Sequence, residues 1–182
     1  MELAASQRVI PLRHELAQTR ITWEDCDQLA MSALEPIVRK EPVEYLATLE
    51  PWMDDAYKWV RRPAITVIGR LPMKQPAYTE GCLRMVEPEL GDDDLDGRRA
   101  LSFDIGMRAR GDPKVVSAFI DRQADHTDPA TIWVLCDAIR SRTGKLLPPF
   151  RDLLPRYEKW LTMVDARSRR SVVSAIKVLR LA

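Results

Sequence analysis

Trp59-Val60-Arg61-Arg62-Pro63-Ala64-Ile65 decides how this chain is read: an arginine pair followed at once by an amphipathic helix. The pattern recurs. Asp96-Gly97-Arg98-Arg99-Ala100-Leu101-Ser102 repeats it, with 37 residues from Arg61 to Arg98. Ser168-Arg169-Arg170-Ser171-Val172-Val173 repeats it again, 71 residues from Arg98 to Arg169, about two such periods. The skipped period falls near Ile132-Trp133-Val134, where a helix is expected without the pair. Stepping back 36 residues from Trp59 reaches Trp23 near another helix start. A period near 36 with two helices per unit predicts an all-α chain built as an α-solenoid of about five helix pairs, in which neighbouring units share one core because neither helix buries its apolar stripe alone.

The rest of the chain supports helices. Apolar residues recur at spacings of three and four, strand-like alternation is scarce, and prolines stand at joints. Asp112 before Pro113 and Asp128 before Pro129 are expected helix N-caps with Pro at the first helical position. Asp165 is expected to cap a last helix running to Leu181, and Thr22 with Asp25 makes a variant capping box. Asp92-Asp93-Asp94 reads as a solvated loop that also caps a helix. No long Gly/Ser linker divides residues 1–182, which predicts one domain.

The formal net charge is only +1, but it is unevenly placed. From Ile139 to Ala182 there are eleven Lys or Arg against three acids, net +8; residues 1–138 carry 17 basic and 24 acidic groups, net −7. A basic tail follows an acidic body. No apolar run is long enough to span a bilayer, and the N-terminus lacks the basic and apolar regions of a secretory signal. Cys26, Cys82 and Cys136 are dispersed and form no CxxC, which predicts reduced thiols and a cytoplasmic protein. His14-Glu15-Leu16-Ala17-Gln18 lacks the second His of a zinc-protease motif, Thr143-Gly144-Lys145 lacks the rest of a phosphate loop, and no GxGxxG or GxSxG occurs. No metal or cofactor is expected. Trp133, Tyr157 and Trp160 are spaced for core use.

With these stretches in view, the chain resembles the AlkD-type DNA alkylation repair family, whose members are built from HEAT-like repeats. Thr22-Trp23-Glu24-Asp25-Cys26-Asp27 is similar to that family's Trp-x-x-x-Asp motif, and Trp59-Val60-Arg61-Arg62-Pro63-Ala64-Ile65 to its Trp-x-x-Arg-x-Ala-Ile motif. Arg98-Arg99-Ala100-Leu101-Ser102-Phe103 resembles the next inner helix, and Gly111-Asp112-Pro113-Lys114-Val115-Val116 the turn after it. The resemblance covers roughly residues 12–123. It implies that Trp23 and Phe103 are aromatic walls, Asp27 the carboxylate that stabilises developing positive charge and orients water, and Arg62 a phosphate ligand. It also implies duplex DNA carrying N3- or N7-alkylated purines as partner and substrate, with hydrolysis of the N-glycosidic bond and no need to flip the base into a deep pocket.

Three departures accompany the resemblance. Fewer residues precede Trp23 than the family usually has, Phe103 stands where the family has Trp, and Gly106 stands where it commonly has Arg. The arginine pairs have two readings. Each one bridges to a neighbouring acid or carbonyl, or Arg61, Arg62, Arg98, Arg99, Arg169 and Arg170 together make a basic ladder along a phosphate backbone. A second function class, a catalytically inactive HEAT-repeat scaffold for a protein or for DNA backbone, fits the same repeats.

Overall fold

The structure, a computed structural model, describes residues 14–19, 22–126, 128–140 and 148–181. Among these residues every regular element is helical. Helix α1 begins as Trp23–Leu29, passes through a π-helical turn at Ala30–Leu34 and ends as Glu35–Val38. It is followed by α2 (Pro42–Met53), α3 (Lys58–Lys74), α4 (Thr79–Val86), α5 (Leu95–Gly111) and α6 (Pro113–Arg122). The chain then forms α7 (Pro129–Ala138), α8 (Pro148–Arg151), α9 (Leu154–Trp160) and α10 (Ala166–Leu179).

The caps act as expected. The carboxylates of Asp112, Asp128 and Asp165 accept from the amides of Val115, Thr131 and Ser168, and the Thr22 hydroxyl accepts from Asp25 N. Each bond satisfies one of the amides a helix start leaves unpaired. Asp94 caps α5 by accepting from the amides of Asp96 and Gly97. The last helix stops at Leu179, two residues short of the expected end. The Thr143-Gly144 stretch lies outside the described residues.

Packing follows sequence order. Helices α1, α3, α5, α7 and α10 form one layer, each resting on the next, while α2, α4, α6 and α9 lie between them in sequence and pack on members of that layer. The period read from the sequence reappears as bonding. Arg62 to Asp27, Ser102 to Asp137, Gln75 to the Arg39 carbonyl, Gln123 to Glu87, Trp160 to the Ala124 carbonyl and Arg156 to Asp121 all join residues 35 or 36 apart. One apolar cluster runs from Ala17 to Leu179, with Tyr157 and Trp160 fully buried in it. Trp133 is only partly buried and lies under the Arg98 guanidinium. The three cysteines are buried and unbridged.

Two local irregularities shape α1. Pro36 has no amide to donate to Ser32, and the helix widens into its π-turn just before that proline. In α3, Pro63 cannot donate to the Trp59 carbonyl; the Cys26 thiol of α1 donates to it instead at 3.3 Å. The proline that would weaken α3 therefore gives α1 a docking point.

The basic tail is partly neutralised. Arg140 pairs with Asp137, Arg156 with Asp121, Lys159 with Asp125 and Arg180 with Glu158. Arg169, Arg170 and Lys177 are exposed on α10 and make no ion pair among the described residues. No described helix is long and apolar enough to cross a membrane.

Candidate functional site

Residues four apart on a helix share a face. Trp23, Asp27 and Met31 of α1, Arg62, Thr66 and Arg70 of α3, and Asp96, Arg99, Ala100, Phe103 and Asp104 of α5 thus bring three successive helix faces to one cleft of about 570 Å³. Trp23 and Phe103 are 50% and 43% exposed there. Large aromatics in a helical array normally belong to the core; these two are held out of it, on opposite helices of the cleft.

Asp27 and Arg62 form the polar centre. Arg62 Nε donates to Asp27 Oδ1 at 2.9 Å and its Nη2 donates to Oδ2 at 3.1 Å, a two-point pairing that fixes the carboxylate plane. Arg62 Nη1 reaches on to the Asp96 carbonyl at 3.3 Å, so one guanidinium ties α1, α3 and α5 together. Its carbon also lies 5.7 Å from the centre of the Trp23 ring. Thr66 adds a longer bond to Asp27 Oδ1 at 3.4 Å. The arginine expected to hold a phosphate is, in this arrangement, engaged by Asp27.

The arginine pairs divide. Neighbouring residues on a helix point about 100° apart, so the two members of a pair meet different surroundings. Arg62 and Arg99 face the cleft, and Arg99 remains largely exposed beside Asp96 at 3.7 Å. Arg61 turns away. It pairs with Asp92 at 3.3 Å and donates to the carbonyls of Asp55 and Ala56. Asp92 is accordingly drawn into the structure rather than solvated. Arg98 lies over Trp133 in a separate small hollow with Leu95 and Pro129. Arg169 and Arg170 stand on α10, two helices of that layer beyond α5. The first two pairs are thus each split between the cleft and another surface, so the six arginines do not form one ladder.

Asp104 is the residue that sequence reading missed. It follows Phe103 directly, lines the cleft, and is only 4% exposed. Its Oδ2 has no hydrogen-bond partner among the described residues. Burial raises its pKa to about 8; Arg108 opposes that rise and the nearby Asp27 charge adds to it. A Cβ on Gly69 would overlap the Asp104 carboxyl, so glycine at that position of α3 makes room for it. The available signal was a charged residue inside the apolar stripe of α5, three after Leu101 and four after Ala100.

Gly106, the third departure, sits where α5 meets the end of α7. A Cβ there would stand 2.8 Å from the Ala138 carbonyl oxygen. Glycine permits that backbone contact, and any larger residue has to push the two helices apart.

A family model described as DNA alkylation repair enzyme matches residues 3–141. No curated protein and no solved structure matches the chain.

Proposed function

Because the chain belongs to the DNA alkylation repair enzyme family, we propose that its cleft receives an N3- or N7-alkylated purine of duplex DNA and hydrolyses the N-glycosidic bond. The family places the chain in DNA repair; the lesion, the chemistry and the reading of the helices as a HEAT-like solenoid are our own. The observation that carries the proposal is the joint placement of Trp23, Asp27, Arg62 and Phe103 around one cleft.

The chemistry follows from those groups. An alkylated purine of this kind carries positive charge and leaves as a neutral base when its bond to C1′ breaks. The sugar is left with oxocarbenium character. The Trp23 and Phe103 faces accommodate the cationic base, and the Asp27 carboxylate, oriented by Arg62, stabilises the sugar cation. A water then adds to C1′, and Asp27 takes its proton and returns it to solvent. The direct test is release of 7-methylguanine or 3-methyladenine from methylated duplex DNA by the purified protein. Absence of release, with the protein folded, overturns the catalytic reading.

The scaffold alternative draws on one observation: both Asp27 oxygens are already engaged by Arg62. It predicts duplex binding or protein binding without base release.

Under DNA binding of either kind, the exposed Arg99, Arg169 and Arg170 neutralise phosphates. The logarithm of affinity is expected to fall linearly with the logarithm of salt concentration, by about 0.9 per phosphate contact. Replacing Arg169 and Arg170 together by Ala is expected to reduce that slope by about 2. An unchanged slope in a fluorescence-anisotropy titration removes these two residues from the interface.

A further inference from the structure

The cleft holds a buried acidic group that the proposed chemistry does not use. Asp104 closes its floor, on the chain position next to the Phe103 wall, and its Oδ2 is buried without a partner among the described residues. The groups around it are of both signs. Asp27 faces it from α1, Arg62 and Arg70 from α3, and Arg108 from its own helix, while the Cys82 thiol of α4 lies close enough to feel the charges of both Asp104 and Arg108. Asp96 and Arg99 complete the charged lining of the cleft.

None of the cations neutralises it directly. Arg62 is held by Asp27. Arg108 is 1% exposed and does not line the cleft; its Nε donates to the Gly69 carbonyl at 3.5 Å, and its two terminal nitrogens have no hydrogen-bond partner among the described residues. Arg70 makes no ion pair among the described residues. What the floor presents to the space beside Phe103 is therefore a carboxyl without a counter-charge in contact, and Gly69 keeps the room it occupies.

We propose that Asp104 is a second functional carboxyl of this site, one that reads the base and selects a cationic one: it waits as a neutral acid and gives up its proton when positive charge enters beside Phe103. The inference rests on the proposed function and deepens it. The bond broken is the Asp104 O–H, the proton goes to solvent, and the new carboxylate faces the cation, so one proton is released for each cationic base bound. The acid is set for this: with its pKa raised to about 8, chiefly by burial, Asp104 is protonated at neutral pH in the empty cleft. A cation in a water-poor cleft favours the ionised form and lowers that pKa again. An uncharged purine supplies no such charge and leaves the acid neutral.

The sign of the pH effect is fixed by this exchange. Binding that releases a proton strengthens as pH rises, up to the pKa of the empty site, by at most about tenfold per pH unit. The test uses the full chain and two duplexes, one with a single N7-methylguanine whose sugar carries a 2′-fluorine to block cleavage, the other with guanine at the same position. The affinity ratio of methylated over unmodified duplex is measured from pH 5.5 to pH 7; taking the ratio cancels the phosphate contacts common to both. For the wild type the ratio is expected to rise severalfold to thirtyfold over that range, and for Asp104→Asn to stay flat. Calorimetry on the wild type in two buffers of different ionisation enthalpy reads the released proton without a variant, which keeps the proposal testable should Asp104→Asn fail to fold.

A wild-type ratio well above one that does not change with pH, or a rise that persists in a folded Asp104→Asn, overturns the role of Asp104 and leaves the proposed function standing. A ratio of one at every pH overturns both.

Discussion

Asp27→Asn is expected to lower the rate of 7-methylguanine release from methylated duplex DNA by about 10²-fold or more, measured under single-turnover conditions. The substitution keeps the shape of the side chain and removes its charge. An amide neither stabilises an oxocarbenium-like sugar as a carboxylate does nor accepts a proton from the attacking water. The variant also loses one of the two Asp27 oxygens that accept from Arg62, through Nε at 2.9 Å and Nη2 at 3.1 Å. Loss of a charge-assisted hydrogen bond in a partly buried setting costs about 1–3 kcal/mol, so the protein is expected to remain folded while turning over poorly. Circular dichroism and a melting curve on the same sample separate the two effects. Release at the wild-type rate by the folded variant removes Asp27 from the mechanism.

Gly106→Arg, which installs the residue that the family resemblance places there, is expected to destabilise the protein by more than about 4 kcal/mol, or to prevent folding. The cause is steric and lies in backbone: even a methyl group at Gly106 stands 2.8 Å from the Ala138 carbonyl oxygen of α7. A flexible side chain could move aside, whereas a carbonyl at the end of a packed helix moves only with the helix. Separating α5 from α7 opens the layer that joins the cleft to α10. Gly106→Ala supplies the calibration. Its gain in helix propensity, about 1 kcal/mol, opposes an overpacking cost of about 1–3 kcal/mol, and a modest net loss is expected. At about 2–4 °C per kcal/mol for a chain of this size, Gly106→Arg is expected to melt at least about 8 °C below wild type. A Gly106→Arg protein that melts with the wild type rules out the close helix contact as drawn.

The cleft shows how far a one-dimensional pattern reaches. Trp23 and Asp27 are four residues apart, and any helix presents them together. Arg62 came into view through the repeated Arg pair, and Phe103 through its place in the following repeat. Their common exposure to one groove agrees with a spacing that was legible in the chain. The pairs themselves were not. Arg61 and Arg62 are adjacent, chemically identical and equally suited to a phosphate, yet Arg61 is bound by Asp92 and Arg62 by Asp27. The two are separated by a rotation of about 100° on α3, and which of them turns inward depends on how α3 seats on α1 and α5.

Local signals therefore determined the helices, their caps and the period of about 36 residues, because side-chain spacing and hydrogen bonding to helix ends act within one or two turns. The family and the residues of the proposed site followed from the same short motifs. The tertiary structure decided the remainder. It put Asp104 beneath the cleft with Gly69 making room for it, gave the Trp59 carbonyl that Pro63 leaves unbonded to Cys26, and made Gly106 a point of backbone contact. Each of these joins residues more than 30 positions apart. A carboxyl's burial, and with it its charge, is set by neighbours that the sequence places far away and only packing brings near.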